Sequence, residues 1–412
     1  MARRYLITGD VQLVRRLNRD AILGLIRERG PISRTDLARL TKLTPATAFS
    51  IVEELVQDRL VQESGMGPSR GGRRPMLFEF NSRSQVIIGV NIRSAQVLGV
   101  LAYLDAKPQV TIARDYDLKG GADVVQLVKD VIRELIAASP LPTAQLMGIG
   151  LAVPGLIDVD RGVVVQSENW DWEELPLRDI LAEDFDTPIY IEEDDNALAL
   201  GEGFFGAGRG VSNVVCVKIG RGLGAGIVVN GMLFRGPDNA AGEIAHILVD
   251  PDGPQCTCGN YGCLVRMISA PAIAERAIKG LKQGAISSLS GRVGDDPEKV
   301  NVAMIAEAAN AGDAFAHQIM EETGRYLGIG IATLVNLLNP DLVIIGGGVI
   351  LAGSPLLEPA RHVVKLRTFG APGERVRIVA AQLGVEAPAI GAATLVMTQE
   401  GALPTRGFAG FD

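Results

Sequence analysis

The sequence predicts an α/β protein with a winged helix-turn-helix at its N-terminal end and a larger two-lobed domain behind it. Three observations carry this reading. Apolar residues recur at helical spacing up to Leu55, and from residue 84 the texture changes to short β-rich runs alternating with helices. Charge divides at the same place: residues 1–83 hold 15 Lys plus Arg against 9 Asp plus Glu, so a net charge of −8 resolves into +6 there and −14 in the remainder. A small basic end on an acidic body reads as a polyanion-binding module joined to something else.

The first helix shows one amphipathic face of Leu17, Ala21, Ile22, Leu25 and Ile26 and ends at Gly30-Pro31. Ser33 is the N-cap candidate of a second helix that turns Leu37, Ala38 and Leu40 towards the core. After a turn at Thr41–Leu43, Thr44 caps a third helix with Pro45 at its first position and Ala48, Ile51, Val52 and Leu55 on its buried face. The segment LVQESGMGPSRGGRRPMLFEFN then has two β-rich ends around a Gly-Pro-Arg loop, which makes it the wing. Its tip carries Arg70, Arg73 and Arg74 among glycines that let cations approach DNA closely.

Beyond the wing, VIIGVNI, VLGVLAYL, the helix around Asp123 to Ala138 and LMGIGLAVPG form a first α/β set. A second begins near Val214 with VVCVKIG and GAGIVVNG, continues through a helical region from Ala303 to Leu338, and reaches LVIIGGG. The expected domains are 1–82 for the winged helix, 83–210 for the first lobe and 211–412 for the second, with the last helix returning to the first lobe. At 412 residues, 47% hydrophobic, 49 Gly and 21% charged, the chain suits several packed cores rather than a disordered or fibrous protein. MARRYLITGD lacks the apolar core of a leader, and no run reaches the roughly 18 apolar residues of a membrane span, so a cytoplasmic protein is expected.

His246 followed by CTCGNYGC places four metal-ligand candidates, His246, Cys256, Cys258 and Cys263, in one short stretch. Three thiolates and an imidazole suit tetrahedral Zn²⁺. A site closed by four protein ligands leaves no position for catalytic water, so one structural zinc ion per chain is expected. Cys216, in the apolar run SNVVCVKIG, reads as a small buried strand residue.

GEIAH followed by CTCGNYGC resembles the signature of the ROK family of repressors, uncharacterised reading frames and sugar kinases. The likeness extends through AVPGLIDVDRG, EEDDNALALGE, GRGLGAGIVVNG and NLLNPDLVIIGGG, and the winged helix points to the repressor branch. The resemblance implies an actin-like (ribonuclease H-like, sugar-kinase-type) fold with sugar bound between its lobes. Asp194 matches the family's general base. The nucleotide element that reads Asp-x-Gly-Gly-Thr in active members is Asn91-Ile92-Arg93-Ser94-Ala95 here, so the carboxylate and both glycines are missing. Asp194 is therefore read as a vestige and the chain as no enzyme. The glycine loop Gly220–Gly226 survives in outline and reads as a hairpin turn.

The sugar half is better kept. Asn169, Asp194, Glu243 and His246 occupy positions where family members contact sugar hydroxyls, His246 while also ligating zinc. Glu193 joins them where the family has Asn, and Val265 stands where a sugar-binding Glu follows the last cysteine. The expected function is a sugar-responsive DNA-binding transcriptional repressor of carbohydrate genes. Thr44, Thr47 and Ser50 would read bases, Arg34 would contact phosphate, and a homodimer or tetramer would bind a palindromic double-stranded operator. A sugar or sugar phosphate is the expected effector. Two alternatives stay open: an active or bifunctional ATP-dependent sugar kinase, and a repressor controlled by a protein partner.

Overall fold

The computed structural model describes residues 11–68, 74–117, 120–167, 170–294 and 296–404. At the N-terminal end, α1 (Val11–Arg29), α2 (Arg34–Thr41) and α3 (Pro45–Gln57) pack against a sheet of β1 (Ile32–Ser33), β2 (Val61–Met66) and β3 (Met76–Phe80) in the order β1-β3-β2. Both capping expectations hold: Ser33 Oγ accepts the Asp36 N–H at 3.1 Å and Thr44 Oγ1 accepts that of Thr47 at 3.2 Å. Ser33→Ala is expected to cost about 1 kcal/mol in chemical denaturation, since it orphans a half-buried helix N–H. Leu40 corrects the expected core. Leu37 and Ala38 are buried but Leu40 is 37% exposed, because at about 100° per residue it falls well off the stripe made by Leu37, Ala38 and Thr41.

The next unit contains β4 (Val86–Arg93), β5 (Gln96–Tyr103), β6 (Pro108–Asp115), α4 (Gly121–Ala137), β7 (Leu146–Val153), β8 (Leu156–Asp158), β9 (Val163–Ser167), β10 (Trp172–Leu175), α5 (Leu177–Ala182), β11 (Ile189–Glu193) and α6 (Asp194–Phe205). Its main sheet runs β11-β7-β4-β5-β6, and β10-β9-β8 form a small second sheet. The last unit holds β12 (Val214–Ile219), β13 (Leu223–Val229), β14 (Met232–Leu233), α7 (Leu264–Ile268), α8 (Ala270–Lys282), α9 (Leu289–Val293), α10 (Val302–Asn310), α11 (Ala314–Leu338), β15 (Leu342–Gly346), α12 (Ser354–Arg367), α13 (Pro372–Arg375), β16 (Arg377–Ala380) and α14 (Ala387–Gln399). Its sheet runs β14-β13-β12-β15-β16.

The two main sheets share one plan. Each begins with an antiparallel meander, β4-β5-β6 or β12-β13-β14, and then adds two parallel strands beside its first strand. The helical region after residue 302 divides into α10 and α11, with Gly312 at φ +90° and Asp313 capping α11.

The C-terminal helix α14 lies on the first main sheet. A Cβ on Gly89 would stand 1.9 Å from Ala389 O, and one on Gly150 would stand 1.9 Å from Ala392 O. A Cβ on Gly391 would lie 1.7 Å from Ala197 O, so α6 and α14 cross backbone to backbone. Met397, Ala402 and Leu403 continue into the core that holds Ile22, Leu55 and Phe78, which joins the winged helix to the body. Arg19 Nη1 donates to Gly401 O at 2.6 Å, and Arg27 donates to Ala402 O at 3.2 Å and Leu104 O at 3.3 Å. Burial lowers the Arg27 guanidinium pKa to about 10 against the pull of Asp105. Among the described residues, no helix is long and apolar enough to cross a membrane.

Candidate functional site

The outer face of α3 presents Pro45, Ala46, Phe49 and Ser50 to solvent. Thr44 is also exposed, and its Oγ1 lies 2.8 Å from that of Thr47, so the cap hydroxyl and the first helical turn form one polar unit. Arg34 is turned onto the protein: it pairs with Glu53 and lies 4.6 Å from the Phe78 ring centroid. A phosphate contact from Arg34 requires that pair to open. Arg74 is exposed at the base of the wing loop, whereas Arg70 and Arg73 lie outside the described residues.

The second constellation is built at the junction of β11 and α6. Glu193 is the N-cap of α6, its two oxygens accepting the N–H of Asp195 at 3.1 Å and of Asn196 at 3.0 Å. This use commits a side chain expected among the sugar contacts to the helix itself. Burial, then the Asp195 and Asp194 carboxylates, push the Glu193 carboxyl well above its ordinary value. Asp194 and Asp195 are each 7% exposed. The Lys218 ammonium pairs with Asp194 and lies 2.8 Å from Asp195. Burial alone would lower the Lys218 pKa, but Asp194, Asp195 and Glu193 together raise it, so the ammonium stays charged.

A parallel pair lies beside it: Arg235 donates through Nε at 2.9 Å and Nη2 at 2.6 Å to Glu192, itself 1% exposed. Lys218 comes from β12 and Arg235 from just beyond β14, so both ion pairs tie the second lobe to the β11–α6 junction of the first. Sequence reasoning missed Lys218, Arg235, Glu192 and Asp195. Lys218 alone left a signal, as a charge inside the apolar run VVCVKIG.

The glycine hairpin has a packing role. A Cβ on Gly224 would stand 1.9 Å from Asp195 Oδ2, and one on Gly226 would stand 2.4 Å from Asp195 O, so both make room for α6. A Cβ on Gly220 or Gly222 would meet nothing within 4 Å. At the altered nucleotide element, Asn91 is buried with Oδ1 unpartnered, while Arg93 donates to Gln96 Oε1 at 2.9 Å across a tight β4–β5 turn.

Glu243 is exposed and follows Gly242, whose φ is +101° and whose carbonyl accepts the Ala225 N–H at 3.0 Å, which anchors this segment to β13. Asn169 lies outside the described residues. Val265 packs against the second-lobe core, as an apolar side chain on α7 should.

His246, Cys256, Cys258 and Cys263 come together, their ligand atoms all within 4.8 Å of one another. His246 Nδ1 lies 3.7 Å from Cys256 Sγ, and Cys258 Sγ lies 3.7 Å from Cys263 Sγ. A tetrahedron with metal–sulfur bonds of about 2.3 Å has sulfur–sulfur edges of about 3.8 Å, so this set could hold a metal ion. The loop is shaped for it: Gly259 and Gly262 take φ of +90° and +61°, and a Cβ on Gly262 would collide with Asp250 O at 1.4 Å. The Asn260 backbone N–H lowers the Cys258 thiol pKa to about 7, whereas burial raises that of Cys263 to about 12.

The ROK family profile matches residues 102–399. The chain is 32% identical over 394 residues to the xylose repressor of Caldicellulosiruptor bescii, covering 95% of this chain and 98% of that one. It is 33% identical over 395 residues to the DNA-binding transcriptional dual regulator NagC of Escherichia coli K12, covering 94% of each. A ROK family transcriptional regulator described as a homologue of the Escherichia coli Mlc protein superposes at a TM-score of 0.84 with 28% identity, over 95% of this chain and 98% of that one. The ROK glucokinase of Streptomyces griseus, crystallised with glucose and AMPPNP, superposes at 0.69 with 30% identity, over 75% of this chain and 98% of its own. The kinase match leaves about a quarter of this chain uncovered, whereas the regulator match covers 95% of it. With a profile match across both lobes and relatives this similar over nearly the whole chain, the protein belongs to the ROK family.

Proposed function

We propose that this chain is a sugar-responsive, DNA-binding transcriptional repressor of carbohydrate genes, whose kinase-like lobes sense a ligand without transferring phosphate. The observation that carries the reading is a winged helix sharing one packed core with a kinase-type body whose base candidate, Asp194, is held in an ion pair. The altered turn at Asn91–Ala95 removes the groups that phosphoryl transfer needs for the nucleotide. Its relatives include both repressors and kinases, and these two features favour the former.

In this reading Thr44, Thr47 and Ser50 read bases from α3 in the major groove, while Arg70, Arg73 and Arg74 hold flanking phosphate. Arg34 braces α3 through Glu53 and reaches phosphate when that pair opens. Asp194, Glu243 and His246, with Asn169, take sugar hydroxyls, and Glu193 orients the first turn of α6 beneath them. Zinc, held by His246, Cys256, Cys258 and Cys263, is structural and fixes the His246 ring beside the ligand. A homo-oligomer presents two winged helices to a palindromic operator.

The test is binding of the full chain to DNA from upstream of its own and neighbouring genes, with and without a panel of sugars and sugar phosphates. Specific binding that one compound changes is the expected result. Ser50→Glu is expected to weaken it at least about tenfold by setting a carboxylate against the DNA backbone, with metal content unchanged. Specific binding indifferent to every compound would favour a protein partner, and ATP-dependent sugar phosphorylation with no specific DNA binding would overturn the repressor.

A further inference from the structure

We propose that Lys218 is a tethered cation that plugs the carboxylate cluster of the cleft, closing it to divalent metal ions and pinning the base candidate Asp194. It is a block on phosphoryl transfer separate from the altered turn at Asn91–Ala95. The inference rests on the reading of the lobes as a sensor, and adds the residue that makes them one.

Glu193, Asp194 and Asp195 each bring one carboxylate oxygen within 4.8 Å of the other two, with Asp194 and Asp195 buried. Carboxylates so close and so dry repel one another and require a nearby positive charge or a proton. With the Glu193 oxygens already used by the Asp195 and Asn196 N–H groups, Asp194 and Asp195 are the hard oxygen donors of the kind Mg²⁺ and Mn²⁺ take. Here the charge comes from the chain. Lys218 pairs with Asp194 and stands 2.8 Å from Asp195, its side chain only 22% exposed. An ammonium is a compact point charge, so one side chain can offset both carboxylates at once, although Asp195 Oδ1 gains no hydrogen bond from it.

The strand that carries Lys218 runs directly into the glycine turn, and Gly224 beyond that turn packs against Asp195. The ammonium therefore occupies the gap between the Asp194 and Asp195 carboxylates, at the hairpin end of β12. A metal ion cannot enter that gap while Lys218 holds it, and an Asp194 oxygen already bonded to an ammonium is a poor acceptor for a sugar hydroxyl proton. Restoring the lost residues at Asn91–Ala95 would leave this second block in place.

The test is Mn²⁺ uptake by the full, metal-loaded chain at neutral pH, followed by loss of the free-ion electron paramagnetic resonance signal. The wild type is compared with Lys218→Ser, Lys218→Met, which keeps the packing volume, and the pair Lys218→Ser with Asp195→Asn. Expected are no cleft-bound Mn²⁺ in the wild type and one ion per chain in a folded Lys218 variant. That ion should bind at least about tenfold more tightly than any wild-type uptake and be lost with Asp195→Asn. A folded Lys218 variant that takes up no Mn²⁺, or a wild type that takes up as much, overturns the plug while leaving the repressor standing. Sugar phosphorylation by the wild type would overturn the sensor reading instead, so the two failures are distinguishable.

Discussion

On the proposed zinc site, Cys263→Ser is expected to abolish metal binding and melt the loop around it, with metal content falling from the proposed one ion per chain to none and a thermal transition many degrees lower. Cys263 is 1% exposed, pairs across an isolated bridge with Leu248, and stands immediately before α7, which packs into the second-lobe core through Leu264 and Ile268. The segment from Leu248 to Cys263 has few buried apolar side chains of its own, and its turns rely on positive-φ glycines. Metal binding free energy is then folding free energy for this stretch, of order 10 kcal/mol in small zinc modules and smaller where a core already stands. Cys216→Ser is the control. Cys216 lies on β12, fully buried, with burial raising its thiol pKa, and its loss should leave metal content unchanged. Elemental analysis beside thermal unfolding checks both variants, and a folded Cys263→Ser protein that keeps its metal would remove the thiol from the ligand set.

Gly150→Val carries the other large effect. The new Cβ would lie 1.9 Å from Ala392 O, a backbone atom that can move only by lifting α14 off β7. Overpacking of a well-packed contact costs about 1–3 kcal/mol where side chains can yield, and more where backbone meets backbone. The damage should spread, because the chain just beyond α14 packs Ala402 and Leu403 into the winged-helix core and receives bonds from Arg19 and Arg27. We expect loss of soluble protein or a denaturation midpoint lowered for both units together. Gly220→Ala, where an added Cβ meets nothing within 4 Å, should change stability by less than about 0.5 kcal/mol. Equal tolerance of the two substitutions would show that α14 does not seat as described.

The winged helix was the more legible half. Ser33 and Thr44 announce their helices by cap chemistry that operates over three residues, so no distant contact has to be known. Leu40 misled for a local reason too: in a helix of eight residues the buried stripe is narrow, and neighbouring elements decide which apolar side chain is left out. The His/Cys₃ set was legible from its spacing, and the structure brings its four side chains together where they could hold a metal ion. The cleft was harder. Glu193 could be read as a ligand from its type, but its carboxylate is used by the two N–H groups that follow it, which only the helix start reveals.

What the sequence determined by itself is therefore whatever rests on near neighbours: the helix caps, the hairpin wing, the strand-and-helix texture, the His/Cys₃ set and the altered nucleotide turn. What the tertiary structure decided is where separate segments meet. Lys218 on β12 finds Asp194 and Asp195 on α6, Arg235 finds Glu192 on β11, and α14 returns to lie on β4 and β7. These pairings join residues distant in the chain, and burial makes them matter, because ammonium and carboxylate attract weakly in water and strongly in a dry cleft. A lysine in an apolar strand is an oddity on paper; packed against two carboxylates, it becomes the group that sets what the cleft can do.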